Sequence, residues 1–111
     1  MRKSHEVFTD QTENGDSTVV YDRQLARGQP VMAKLETTIG DTPTVTVKLL
    51  GLRKVSGTWV TLATAVITTE TTTYMYADPA LARCKAFKLN LTLNTNVTVT
   101  HGYIGSGSVE N

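Results

Sequence analysis

The amino-acid sequence predicts an all-β protein, an antiparallel β-sandwich of seven or eight strands with a jelly-roll or immunoglobulin-like topology. Threonine, which is β-branched and favours extended backbone, supplies 20 of the 111 residues. In the runs 44–50, 88–93 and 96–100 it alternates with Val or Leu, which places aliphatic side chains on one strand face and mainly hydroxyls on the other. Turn signals recur at a spacing of about 8–12 residues, which is typical of sandwiches and barrels.

The predicted elements follow from this alternation and from the residues that interrupt it. The predicted strands are 17–23, 31–39, 43–51, 58–67, 68–76, 85–93 and 97–105. The predicted connections are a bend at 24–30, a GDTP turn at 40–43, a basic loop at 52–57 and a tight NTN connection at 94–96. Asp78 and Pro79 favour one helical turn over 78–83. The predicted inward residues include Val45, Val47, Leu49, Phe87, Leu89, Leu91, Leu93, Val97 and Val99.

The chain divides into a polar N-terminal arm over 1–16, a β-sandwich domain over 17–105 and a polar C-terminal tail over 106–111. The stretch 9–17 is polar and rich in turn formers, which indicates a loop or an extended arm. The single apolar pair of this segment, Val7 and Phe8, is its candidate contact with a neighbouring protein.

Composition disfavours several classes of function. The net charge of +1 gives no electrostatic reason to bind nucleic acid. No apolar run approaches the roughly 18 residues that a membrane span requires, and the first residues lack the apolar core of a secretory signal. One cysteine excludes an intrachain disulfide, so we expect folding in a reducing cytoplasm.

The sequence carries no recognisable catalytic, cofactor or metal pattern. The two histidines, His5 and His101, lie in no motif, and Cys84 has no Cys or His partner nearby in the chain. We therefore expect a protein that is not an enzyme and that holds no cofactor.

Two groups of residues are candidates for contact with a partner. Arg53, Lys54 and Trp59 could bind a glycan or an anion, with the indole stacking on a sugar ring, or could simply close a hairpin. Tyr74 and Tyr76 are two residues apart, so they share a face and form either an aromatic contact patch or cross-strand packing.

The segment 44–105 resembles small Thr- and Val-rich β-sandwich proteins found among the structural genes of tailed bacteriophages. The residues that carry the resemblance are Val47, Leu49, Gly51, Gly57, Trp59 and Leu62. Where that pattern usually has a Ser-x-Asp-Gly turn, this chain has residues 53–57, so no ligand role of the loop is carried over.

The resemblance implies a structural protein of the virion, made in the host cytoplasm. Capsid decoration or cementing through the major capsid protein, or another virion protein, is the leading expectation, with multiple copies and homo-oligomers. Two alternatives stay open: a carbohydrate-binding or adhesin module, and a component of the phage tail or baseplate.

Overall fold

The computed structural model describes residues 2–21, 30–77 and 84–106. Within these ranges the chain forms six β-strands and no helix. The strands are β1 (Arg2–Gln11), β2 (Gly15–Asp16), β3 (Val31–Arg53), β4 (Trp59–Ile67), β5 (Thr72–Tyr76) and β6 (Cys84–Ser106). They belong to one sheet with antiparallel pairing throughout, which confirms the predicted all-β antiparallel class. No helix of the described residues is long and apolar enough to cross a membrane.

The sheet is built around β3 and β6, which have 23 residues each and pair with one another over most of their length. Two halves share these strands. In the first half, residues 31–39 and 97–106 are flanked by β5 and β1. In the second half, residues 44–53 and 84–95 are flanked by β4 and β2.

The described chain has six strands rather than seven or eight because two predicted turns do not reverse it. Residues 40–43 and 94–96 lie side by side in the middle of β3 and β6. Thr42 and Asn96 take positive φ values of 44° and 54°, and the Asn96 amide donates to the Asp41 carbonyl at 2.6 Å. The turn-forming residues therefore accommodate an irregularity in the ladder. The predicted strands 31–39 and 43–51 are joined in β3, and 85–93 and 97–105 are joined in β6.

Residues 2–11, expected to be part of a polar arm, instead form the sheet strand β1. Val7 and Phe8 are both buried in the core of the same chain, because a register shift between Glu6 and Phe8 interrupts the alternation of the strand. Gly102 leaves room for Phe8, since a Cβ there would lie 3.0 Å from the Phe8 Cβ. Residues 15–16 form β2.

Other predicted elements are only partly described. Within the predicted strand 17–23, Val20 makes a single antiparallel bridge to Phe87. Most of the bend 24–30, the helical turn 78–83 and nearly all of the tail 106–111 lie outside the described residues.

The inward faces of both halves contribute to one hydrophobic core. Eight predicted inward positions are buried as the alternation requires: Val45, Val47, Leu49, Phe87, Leu89, Leu91, Val97 and Val99. The prediction is wrong for Leu93, which is 74% exposed, because its backbone takes a positive φ of 54° beside the irregularity at 94–96 and the alternation ends there. The outward faces are therefore the surfaces on which a partner could dock.

Candidate functional site

The predicted contact residues lie on the outward sides of different halves of the sheet. Tyr74 and Tyr76 project from β5 in the first half, 51% and 62% exposed. Trp59 begins β4 in the second half and is half-buried. The structure thus presents two separate surfaces in place of one composite site.

The first surface, here called the tyrosine face, consists of Lys34, Tyr74, Tyr76, His101 and Tyr103. Strand register assembles it: Lys34 of β3 lies between Tyr74 of β5 and Tyr103 of β6. The Lys34 ammonium is 5.8 Å from the centroid of the Tyr103 ring, a cation–π distance. The His101 and Tyr103 rings stack, with centroids 6.1 Å apart and planes at 18°. The result is a row of aromatic rings interrupted by one cation.

A hydrogen-bond network fixes one border of the tyrosine face. The His101 imidazole lies 2.8 Å, through Nδ1, from Glu6 Oε2, and Thr9 Oγ1 donates to Glu6 Oε1 at 2.9 Å. Because an ionised carboxylate only accepts, Nδ1 carries the proton in this contact. The hydrogen bond from His101, followed by that from Thr9, lowers the pKa of Glu6. The network ties β1 to β6 and orients the His101 ring.

Tyr103 remains a neutral phenol at physiological pH. Partial removal from water raises its pKa, and the negative charges of Glu6 and Glu36 raise it further. The Tyr103 hydroxyl can therefore donate or accept a hydrogen bond, and Lys34 lies 4.0 Å from the Glu36 carboxylate beside the face. Such a surface suits a protein partner with mixed polar and aromatic contacts.

The second surface is centred on Trp59, and its cation is not the one that the sequence indicates. Lys88 of β6 lies over the indole at 4.3 Å from the ring centroid. The same ammonium lies 2.9 Å from Asp16 Oδ2, and Asn90 donates to Asp16 Oδ1 at 2.8 Å. Because Lys88 covers part of the indole, less of its face remains for stacking on a sugar ring.

The loop between β3 and β4 is shaped by its backbone. Gly57 takes a φ of 68°, a left-handed conformation that favours glycine, and its N–H donates to the Arg53 carbonyl at 3.1 Å. Lys54 is exposed, Arg53 is half-buried, and the Val55 side chain at the loop tip is fully exposed. The loop therefore presents a cation beside an apolar tip, at the start of β4.

The Asp16–Lys88 pair predicts a specific dependence of stability on pH. The hydrogen bonds from Lys88 and then Asn90 lower the folded-state pKa of Asp16 below its ordinary 3.8. The stability that Asp16 contributes is therefore present above that ordinary value and is lost as the pH falls through the lowered one. Asp16→Asn should lower the melting temperature at about pH 7 and should cost little at about pH 2. Thermal unfolding of Asp16→Asn at both pH values checks this, with Glu13→Gln as the control for loss of an exposed carboxylate; an equal loss at both would contradict it.

Groups that support metal or nucleophile chemistry are not brought together in the described part of the chain. Among those residues, no cluster of three or more His, Cys, Asp or Glu side chains could hold a metal ion. Cys84 is buried, and loss of solvent raises the pKa of its thiol, which disfavours the nucleophilic thiolate.

Sequence reasoning found two members of the tyrosine face and missed three. Tyr74 and Tyr76 are detectable from their spacing. Lys34, His101 and Tyr103 lie on other strands, so only the pairing of β3 with β5 and β6 brings them alongside. The spacing of His101 and Tyr103 did carry a signal, because residues two apart in a strand share a face.

Comparison with known proteins gives a structural relative. No protein-family model matches this sequence, and no curated protein matches it. The chain is similar in structure to the SPBc2 prophage-derived protein YomS, known from a crystal structure, with a TM-score of 0.58 and 12% sequence identity. The match covers 92% of this chain and 89% of that one, so the two proteins share a fold over nearly their full lengths.

Proposed function

We propose that this chain is a non-enzymatic structural protein of a bacteriophage virion, where many copies decorate or cement the capsid by binding the major capsid protein. The observation that carries the proposal is the shared fold with a prophage-derived protein over nearly the whole of both chains. Its antiparallel all-β fold and its threonine-rich strands agree with the phage structural proteins that the sequence resembles.

The tyrosine face is the docking surface in this proposal. Tyrosine combines a large ring with a polar tip and few rotatable bonds, so it is enriched in protein interfaces. Tyr74 and Tyr76 are both more than half exposed. Met75, which lies between them in β5, is buried in the core and so anchors the strand that carries the two rings. Lys34 and Glu36 add one charge of each sign, which fixes orientation more than affinity.

The capsid lattice would supply the affinity that one small face lacks. A protein bound in many identical places on a shell is retained strongly when neighbouring copies also touch, because each bound copy raises the effective concentration of the next contact. A surface with many hydroxyls is suited to such packing, since hydroxyls cost less to desolvate than charges.

Density-gradient fractionation of a lysate of the source phage tests the function. Quantitative mass spectrometry should find this chain in the particle fraction, at a fixed and high ratio to the most abundant shell protein. A ratio on the order of a dozen copies or fewer per particle would instead assign it to the tail, the baseplate or a single vertex. Recovery only as free protein at the top of the gradient would contradict the virion assignment.

Paired tyrosine substitutions test the docking surface. The double variant Tyr74→Ser/Tyr76→Ser should bind particles that lack the protein at least about 30-fold more weakly, since truncating an aromatic hot spot typically costs about 2 kcal/mol or more. Tyr21→Ser is the matched control, because Tyr21 is 70% exposed and belongs to no part of the tyrosine face. Co-sedimentation with purified particles measures both. Equal binding by the double variant and the wild type would remove the tyrosine face from the proposal.

A further inference from the structure

The outer edge of β4 differs from the other sheet edges. Among the described residues β4 pairs only with β3, so one side of its backbone has no strand partner. It is nine residues long, about 30 Å at the usual rise, and contains no charged residue and no proline. Natural proteins normally blunt such an edge, because unpaired backbone groups are a template for another strand.

The remaining edges carry the expected protection. β1 includes charged residues and two register shifts, β2 has only two residues, and β5 has five. On β4 one such device is present, a register shift at Leu62, and the stretch Ala63–Ile67 beyond it is regular. The backbone groups of Ala63–Ile67 on the side away from β3 could therefore form a regular ladder with a further strand.

The core is incompletely closed along β4. Val60, Ala63 and Ala65 pack against the buried cluster but remain partly exposed, and Val66 on the outward side is 63% exposed. Apolar side chains on both faces of one unpaired edge lose contact with water when a further strand is added.

The charges at the two ends of β4 point to the identity of that further strand. Arg53, the last residue of β3, and Lys54, in the loop that follows, lie before the first residue of β4, and Glu70 lies just beyond its last. Both Lys54 and Glu70 are exposed. An antiparallel two-fold arrangement of two β4 strands brings the acidic end of each copy toward the basic loop of the other, whereas a parallel arrangement would bring like charges together.

We propose that β4 is the pairing edge for a second copy of this chain, with two β4 strands aligned antiparallel across a two-fold axis so that the two sheets become one. The interface would combine main-chain hydrogen bonds along Ala63–Ile67, burial of Val66 and the half-exposed alanines, and two symmetry-related contacts between Glu70 and the Arg53–Lys54 loop. The proposal does not rest on the virion function and concerns a different surface from the tyrosine face.

Sedimentation velocity of the purified full chain over a wide range of concentration tests the pairing. The mass should rise from the 12.1 kDa of one chain to twice that value. Thr64→Lys places a cation on the exposed outward side of β4 and should raise the dissociation constant at least about tenfold. Thr72→Lys, the same change at an exposed position of the uncharged β5 edge, should leave it unchanged.

A charge exchange keeps the proposal falsifiable if Thr64→Lys fails to fold. Glu70→Lys changes an exposed residue outside the strands and should also weaken the dimer, while Glu70→Lys/Lys54→Glu should restore it toward the wild-type dissociation constant. A monomer at every concentration, a dimer sensitive to Thr72→Lys but not to Thr64→Lys, or a charge exchange without recovery would overturn the pairing of β4 with β4.

Discussion

Phe87→Ala is expected to lower the free energy of unfolding by about 3–5 kcal/mol, the range for removing a fully buried phenylalanine from a packed core. Phe87 has no exposed surface and is among the largest fully buried side chains of the described residues. Its backbone bridges Val20 through two hydrogen bonds, of 2.7 and 2.9 Å, so the surrounding chain is held on both sides and cannot collapse readily into the space left. Loss of the ring therefore removes its transfer free energy and also leaves a cavity.

Denaturant unfolding of Phe87→Ala beside Tyr76→Ala measures this effect. Tyr76 is also an aromatic residue in a strand, but its ring faces solvent, so its removal should cost below about 1 kcal/mol. The same Tyr76→Ala variant belongs to the proposed docking surface, so it should lose particle binding while keeping its stability. Comparable losses of stability in the two variants would mean that the faces of β5 and β6 are assigned wrongly.

The alternation of apolar and hydroxyl residues was sufficient to predict the class of the fold and most inward positions of the longest strands, with Leu93 as an exception. Val45, Val47 and Leu49 on β3, with Leu89 and Leu91 on β6, are all fully buried. The prediction succeeds because side-chain direction in a strand depends only on the local backbone, whose period is two residues.

The number of strands could not be predicted in the same way. Gly40, Asp41, Thr42 and Pro43 have the composition of a turn, yet β3 continues through them. Local residues determine which φ values the backbone tolerates, but reversal depends on which distant strand supplies hydrogen bonds beyond that point. Here β6 runs alongside with its own irregularity near Asn96, and ladder pairing resumes at Thr44.

The N-terminal segment was predicted as an arm outside the sheet but forms a strand within it. Its polar residues and single apolar pair predict an arm, whereas Val7 and Phe8 are part of the core and Glu6 borders the tyrosine face. The strand depends on a bulge at Val7, which breaks the alternation within β1, and on the space above Gly102, which is a feature of its partner β6. The composition of the tyrosine face was likewise hidden, because it draws on three strands that are distant in the chain.

Substitution of Gly51 is expected to cause the second large loss of stability, through overpacking of the core rather than through a cavity. Gly51 lies within β3, opposite Phe87, and a Cβ added there would be 2.5 Å from Cys84 Sγ, 2.9 Å from Leu62 Cδ1 and 3.1 Å from Cys84 Cβ. Leu62 is a flexible side-chain end that can shift, whereas Cys84 is a fully buried residue of β6. Gly51→Ala is therefore expected to cost about 1–3 kcal/mol of unfolding free energy, although alanine is ordinarily better than glycine in a strand.

A double-mutant cycle separates this steric explanation from a general intolerance of substitution. Because Cys84→Ala removes the sulfur that the new methyl would meet, Gly51→Ala should cost markedly less in a Cys84→Ala background, with a coupling of about 1 kcal/mol or more. Gly40→Ala is the matched control, since Gly40 is exposed and its nearest neighbour would be the Asn96 Cβ at 3.3 Å. Strict additivity of Gly51→Ala and Cys84→Ala would show that the contact between these two central strands does not limit the size of residue 51.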